Sequence, residues 1–126
     1  MVLKFLWLAI AGAIGTVARY GLAGLIHNKL KDASFPWGTI GVNILGCFLV
    51  GFLWIIFEEK VQLSPETRTI ILVGFFGAFT TFSAYILETS ELFRSAEWYY
   101  GAANILIQNG LGLLGIILGA AVAKIV

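Results

Sequence analysis

The sequence predicts an all-α integral membrane protein with four transmembrane helices, and three observations carry that prediction. Of its 126 residues 60% are hydrophobic and only 12% are charged, and the mean hydropathy is +0.94. A soluble core of this size cannot hide so much apolar surface. Short charged segments divide the chain into four apolar runs, at about 4–27, 37–57, 67–93 and 98–124. A helix needs about 20 residues to cross the hydrocarbon, whereas a membrane strand needs about half as many with alternating polarity. Helices are therefore the predicted spanning element, and a lipid bilayer the predicted surrounding.

The first run, Phe5 to Ile26, is interrupted only by Arg19. It is longer than the apolar stretch of a cleaved leader and reads as a permanent span. The second, Trp37 to Phe57, has no charge and follows Pro36, a residue suited to a helix start. The third, Thr69 to Leu87, is preceded by Ser64-Pro65-Glu66, a helix N-cap signature. The fourth runs from Trp98 to Ala123. The connections, His27 to Pro36, Glu58 to Arg68 and Arg94 to Glu97, leave no room for a second domain, so residues 1–126 read as one transmembrane domain. A multi-pass protein of the cell membrane is expected.

Within the third run, Gly74 to Ser83 reads GFFGAFTTFS. Gly77 followed by the adjacent Thr80 and Thr81 makes a helix break over Gly77 to Thr81 plausible, and such breaks in membranes expose carbonyls to protein, water or an ion. Phe76, Phe79, Phe82 and Tyr85 recur every three residues. Packing and anion recognition by the positive ring edges are both open readings of that stripe.

Fifteen glycines recur at small-residue intervals, among them Gly12 and Gly15, Gly21 and Gly24, Gly38 and Gly41, and Gly115 and Gly119. Such spacing lets helix backbones approach closely in lipid. The basic residues give little topological bias: Lys4, Lys60, Arg68 and Lys124 lie on the side of both termini, against Lys29, Lys31 and Arg94, with Arg19 undecided. A balanced count fits insertion in both orientations, and hence an antiparallel dimer with its twofold axis in the membrane plane.

Composition also excludes functions. A net charge of +1 offers no nucleic-acid footprint. His27 is the only histidine, so no Ser-His-Asp set can form, no phosphate loop is present, and the chain does not read as an enzyme. Cys47 has no partner cysteine and reads as a small buried hydrophobe. The polar residues within the spans are more telling: Thr16 and Arg19, Thr39 and Asn43, Thr80, Thr81, Ser83 and Glu88, and Asn104, Gln108 and Asn109. Thr39 with Asn43 and Asn104 with Gln108 are four apart, so each pair forms one stripe. Each polar residue can be interhelical glue. Together they resemble the lining of a hydrated path whose amides and hydroxyls would offer hydrogens to an anion without holding it tightly.

Three motifs then carry a family resemblance: G-x-x-G-x-x-A-R-Y at Gly12 to Tyr20, P-x-G-T-x-x-x-N-x-x-G at Pro36 to Gly46, and G-x-x-G-x-x-T-T-F-S at Gly74 to Ser83. The chain resembles the CrcB/Fluc family of fluoride channels over nearly its whole length. The resemblance implies a dual-topology homodimer with two antiparallel fluoride pathways and passive, selective export of fluoride from the cytoplasm, protecting the cell from its toxicity. It implies that Phe82 and Asn43 contact the pathway, with Thr39, Ser83 and Glu88 associated with it. It also implies a structural Na+ held at the dimer interface by the carbonyls of Gly77 and Thr80.

Three positions depart from the family pattern. Tyr85 stands where the second aromatic is usually Phe, Gln108 stands at the usual polar position of the fourth helix, and Ala84 replaces a frequent Thr. Arg19 would add positive potential at a vestibule, or snorkel to the interface. A small proton-coupled multidrug exporter is a competing reading, although it needs a central carboxylate and the first helix has none. A non-transporting membrane assembly protein would explain the glycines but not the polar stripes.

Overall fold

A computed structural model describes residues 1–31 and 34–126. The described residues are helical almost throughout, and four helices are long and apolar enough to cross a membrane: Val2–Leu30, Trp37–Lys60, Pro65–Arg94 and Trp98–Ile125. All four extend past the ends expected from the apolar runs, because polar residues continue the helical hydrogen bonding beyond the hydrocarbon-length core. Helix α1 (Val2–Leu30) carries on through His27 and Lys29 and stops where Lys31 turns left-handed at φ 53°. Of the first connection, residues 32–33 lie outside the described residues.

Helix α2 (Trp37–Ile55) ends in a π-helical turn, Ile56–Lys60. The guanidinium of Arg68 donates to the Phe57 carbonyl there and pairs with Glu58 at 2.9 Å, tying the start of the third span to the end of the second. That third span opens with α3 (Pro65–Thr69), where the Ser64 hydroxyl accepts the Thr67 N–H at 3.2 Å. It widens into a π-helix over Ile70–Phe76 and returns to α-geometry in α4 (Gly77–Phe79). Thr80 (φ −90°, ψ 158°) and Thr81 (φ −147°, ψ 120°) are extended, and α5 (Phe82–Arg94) follows. Helix α6 (Trp98–Ile125) returns across the bundle.

Helix α6 lies along α2, while α1 lies against the first half of the third span and against α2. Glycines set these approaches. A methyl group at Gly51 or Gly119 would strike the carbonyls of Ile116 and Phe48 respectively, so α2 and α6 touch backbone to backbone. Gly15 meets the Phe75 carbonyl in the same way and brings α1 onto the π-helical segment. Gly21 and Gly24, by contrast, have nothing within 4 Å. Within this chain they are not packing positions, and they face an open cavity instead.

The buried core is Val42, Phe76 and Phe79, with Leu22, Leu49, Leu53 and Phe75 packed around it. The aromatic stripe is thereby split. Phe76 and Phe79 are core residues, whereas Phe82, beyond the extended pair, is 75% exposed. The outward faces are apolar as well, with Phe5, Trp7, Ile14 and Val17 exposed on α1 and Leu106, Leu113 and Ile117 on α6. Such a surface suits lipid and not water.

Candidate functional site

The site is built around the two extended residues. Where a helix stops, its last carbonyls and the first N–H groups of the next helix lose their partners. Asn43 of α2 supplies the replacement. Its Oδ1 accepts the Thr81 N–H at 2.8 Å, and its Nδ2 donates to the Thr81 carbonyl at 3.0 Å. The Thr81 hydroxyl in turn caps α5 by accepting the Ala84 N–H at 3.2 Å. One side-chain amide thus does for Thr81 what a neighbouring strand would do.

Two carbonyls are released by these bonds. In an unbroken helix the Thr81 N–H would serve Gly77 and the Ala84 N–H would serve Thr80. Both donors are instead taken, by Asn43 and by the Thr81 hydroxyl. Gly77 is exposed and has no atom near its missing side chain, so its backbone is approachable. Neutral oxygens of this kind are ligands for a hard cation, and the residues present fit that role. On the other side, the Phe82 and Ser83 N–H groups begin α5 in the first-turn positions that favour anions.

Asn43 also begins a relay of amides. Its Nδ2 donates to Gln108 Oε1 at 2.7 Å, Gln108 Nε2 donates to Asn104 Oδ1 at 3.1 Å, and Asn104 Nδ2 donates to Thr89 Oγ1 at 2.9 Å. The Thr89 hydroxyl closes on the Tyr85 carbonyl at 2.7 Å. Asn104 is 0% exposed, so the inner links of this chain are sheltered from competing water, while its Asn43 end is half-buried. An unpaired amide at that depth would be costly. The relay joins α2, α5 and α6 and orients each amide through its neighbour.

Asn43, Thr80, Thr81, Phe82, Tyr85, Gln108 and Asn109 line one cavity of about 350 Å³. The Phe82 and Tyr85 rings meet there edge to face, with centroids 5.7 Å apart at 64°. Cys47, read from sequence as buried, is only half-buried and lines the same cavity. Nearer the ends of the helices, Thr39 and Glu88 line a second, wider cavity of about 850 Å³ with His27, Asn28 and Glu91. Thr39 Oγ1 donates to Glu88 Oε1 at 2.6 Å, and Glu88 Oε2 has no partner among the described residues.

The fold therefore brings Asn43, Phe82, Tyr85 and Gln108 together, and Thr39 and Glu88 together one turn away. Ser83 is exposed, with its hydroxyl 3.5 Å from that of Thr81. Arg19 is half-buried on α1, lines neither cavity and has no hydrogen bond or ion pair among the described residues. Sequence reasoning passed over Thr89 and gave Asn104 and Asn109 no site role. For Asn104 the four-residue spacing to Gln108 was the available signal; for Thr89 there was none, since one partner, Asn104, lies on another helix and the other is a backbone carbonyl, that of Tyr85.

A family model described as CrcB-like protein, Camphor Resistance (CrcB), matches residues 6–120. A curated protein of Desulforapulum autotrophicum is 56% identical over 120 residues, covering 92% of this chain and 95% of its own length. One of Nitrosococcus oceani is 49% identical over 123 residues, covering 98% of each, and one of Solidesulfovibrio magneticus is 43% identical over 126 residues, covering 100% of each. All three bear the name fluoride-specific ion channel FluC.

Proposed function

The chain belongs to the CrcB-like family, and from that premise we propose that it is a fluoride-specific ion channel of the cell membrane, passing fluoride out of the cytoplasm down its electrochemical gradient. The observation that carries this reading is the cavity at Asn43, where amides, a phenol and two aromatic edges converge on an interrupted helix without a single fixed positive charge. Fluoride is small and strongly hydrated. A path that conducts it must replace its water with many neutral donors, each too weak to trap it.

The division of labour follows from the chain's own groups. Asn43 and Gln108 line the path with amides, and Phe82 and Tyr85 offer ring edges, whose polarity attracts an anion. Thr39 and Glu88 flank the path one turn further out, and Ser83 opens α5 beside it. Arg19 adds positive potential from α1, drawing anions without contacting them in the cavity.

The functional unit in this reading is an antiparallel homodimer. One chain exposes Phe82 to the extent of 75%, and a partner would supply the missing wall. The balanced basic residues support insertion in both orientations. The carbonyls of Gly77 and Thr80, from both subunits, would hold a Na+ ion on the twofold axis. When bound, that ion supplies a fixed positive charge that holds the two interrupted spans together.

The test is purified protein in liposomes loaded with fluoride, with efflux followed by a fluoride electrode and chloride as control. Fluoride efflux without chloride efflux is the expected result. Proton-dependent dye transport without fluoride flux would point to a multidrug exporter, and no flux of any kind to an assembly role.

A further inference from the structure

The hydroxyl of Tyr85 is held as an acceptor at one contact, and this decides where its proton points. Asn109 Nδ2 lies 2.8 Å from the Ile105 carbonyl and 3.0 Å from the Tyr85 hydroxyl oxygen. A backbone carbonyl can only accept, so the Asn109 atom facing it must be the nitrogen and not the amide oxygen. The same nitrogen then donates its other hydrogen to Tyr85. The phenol oxygen accepts there, and its own proton has no acceptor among the described residues.

The other amides of the cavity have little left to give. Asn43 spends both N–H hydrogens, on the Thr81 carbonyl and on Gln108, and Asn109 spends both of its own. Gln108 has one remaining, the other going to Asn104. Tyr85 is 6% exposed and lines the cavity together with Asn109, Phe82 and Gln108. Its proton is therefore a sheltered O–H donor at the place where an anion would lose water.

We propose that the Tyr85 hydroxyl donates a hydrogen bond to the permeating anion, and that Asn109 is the positioning residue that turns the phenol so that it can. The assignment rests on the fluoride-channel reading above. It adds a directed O–H to what would otherwise be a contact with the ring edge alone, and gives a role to Asn109, which lies outside the amide relay. Accepting from Asn109 also polarises the phenol and strengthens its donation.

Initial fluoride efflux from proteoliposomes, measured across a range of fluoride concentrations, tests it in four chains: native, Tyr85→Phe, Asn109→Ala and the double variant. A hydrogen bond to a charged group is worth about tenfold or more in affinity. The half-saturating fluoride concentration should rise about tenfold in Tyr85→Phe and by a smaller factor in Asn109→Ala. The double variant should match Tyr85→Phe alone, because Asn109 acts only through the hydroxyl. If the native chain conducts but Tyr85→Phe keeps the native half-saturation, or if Asn109→Ala adds its full effect on top of Tyr85→Phe, the assignment is overturned while the channel reading stands. A native chain that conducts no fluoride overturns both. Should Asn109→Ala fail to insert, 3-fluorotyrosine at position 85 is the second probe: its more acidic phenol should lower the half-saturating concentration, and an unchanged value overturns the proposal.

Discussion

Asn43 and Thr81, 38 residues apart, close a two-bond ring in which the side-chain amide of one accepts from and donates to the backbone of the other, at 2.8 and 3.0 Å. The ring explains why an extended residue can persist at membrane depth, where an unsatisfied peptide group finds no water. It also couples side-chain chemistry to backbone shape. Asn43→Ala should orphan both Thr81 groups and the Gln108 oxygen together. Interhelical hydrogen bonds in membranes average about 0.6 kcal/mol and reach about 1.7, so the expected loss is about 2–4 kcal/mol with fluoride efflux falling steeply. Asn43→Asp keeps the acceptor but loses both donations, and should cost at least as much. Unfolding in detergent, read beside liposome efflux, checks both variants; native stability in Asn43→Ala would remove the ring from its structural role.

Gly46 supports the same backbone from behind. A methyl group there would strike Thr80 Cγ2 and come within 3.3 Å of the Phe79 ring. Gly46→Ala should therefore displace the extended pair, costing about 1–3 kcal/mol as an overpacked core does, and should slow efflux more than it lowers stability. Gly21→Ala is the control. With nothing within 4 Å of that position, the helix should gain about 0.4–1 kcal/mol from reduced freedom of the unfolded chain. Thermal melts of the two variants, shifted in opposite directions, are the expected result.

These contrasts show what could and could not be read from the chain. The four spans were legible because hydrocarbon thickness imposes a length on apolar runs, although polar residues such as His27 and Glu59 let the helices run on past them. Spacing alone could not separate Gly15, which meets a carbonyl, from Gly21, which meets nothing; that depends on which face the bundle turns inward. The pairing of Asn104 with Gln108 was legible as a stripe because both lie on one helix. The Asn43 bonds to Thr81 and Gln108 span 38 and 65 residues, and no local pattern encodes which distant donor an amide will meet. Tyr85 was visible as a departure from a phenylalanine pattern, but the direction of its proton required Ile105 and Asn109 in place.

Thr39 and Glu88 make a narrower test. The Thr39 hydroxyl gives its hydrogen to Glu88 Oε1 at 2.6 Å, and the second carboxylate oxygen has no partner among the described residues. Thr39→Val keeps the shape and removes the donor, leaving Glu88 Oε1 without its hydrogen bond. Loss of an intramolecular hydrogen bond costs about 0.5–1.5 kcal/mol, and efflux should slow with it. Thr39→Ser restores a hydroxyl and should restore most of the rate. If valine and serine behave alike, the bond has no part in conduction.

Gly77 separates the fold of one chain from the proposed assembly of two. Its backbone is ordinary helix, with φ −61° and ψ −31°, and a methyl group would meet nothing within 4 Å. Within a single chain, then, no contact and no strain require glycine at this position, and alanine should if anything favour the helix. Any requirement must come from outside the chain, from a partner or an ion approaching the carbonyl that the Thr81 N–H no longer serves. If the proposed dimer and Na+ site hold, Gly77→Ala should accordingly leave helix content unchanged while weakening that dimer, and replacing Na+ by a bulky organic cation should weaken it in the same way. Subunit exchange between two labelled populations in detergent reads both effects. Exchange as slow as native in Gly77→Ala and in Na+-free buffer would show that the freed carbonyls hold no ion between subunits, and the interrupted span would then serve the anion path alone.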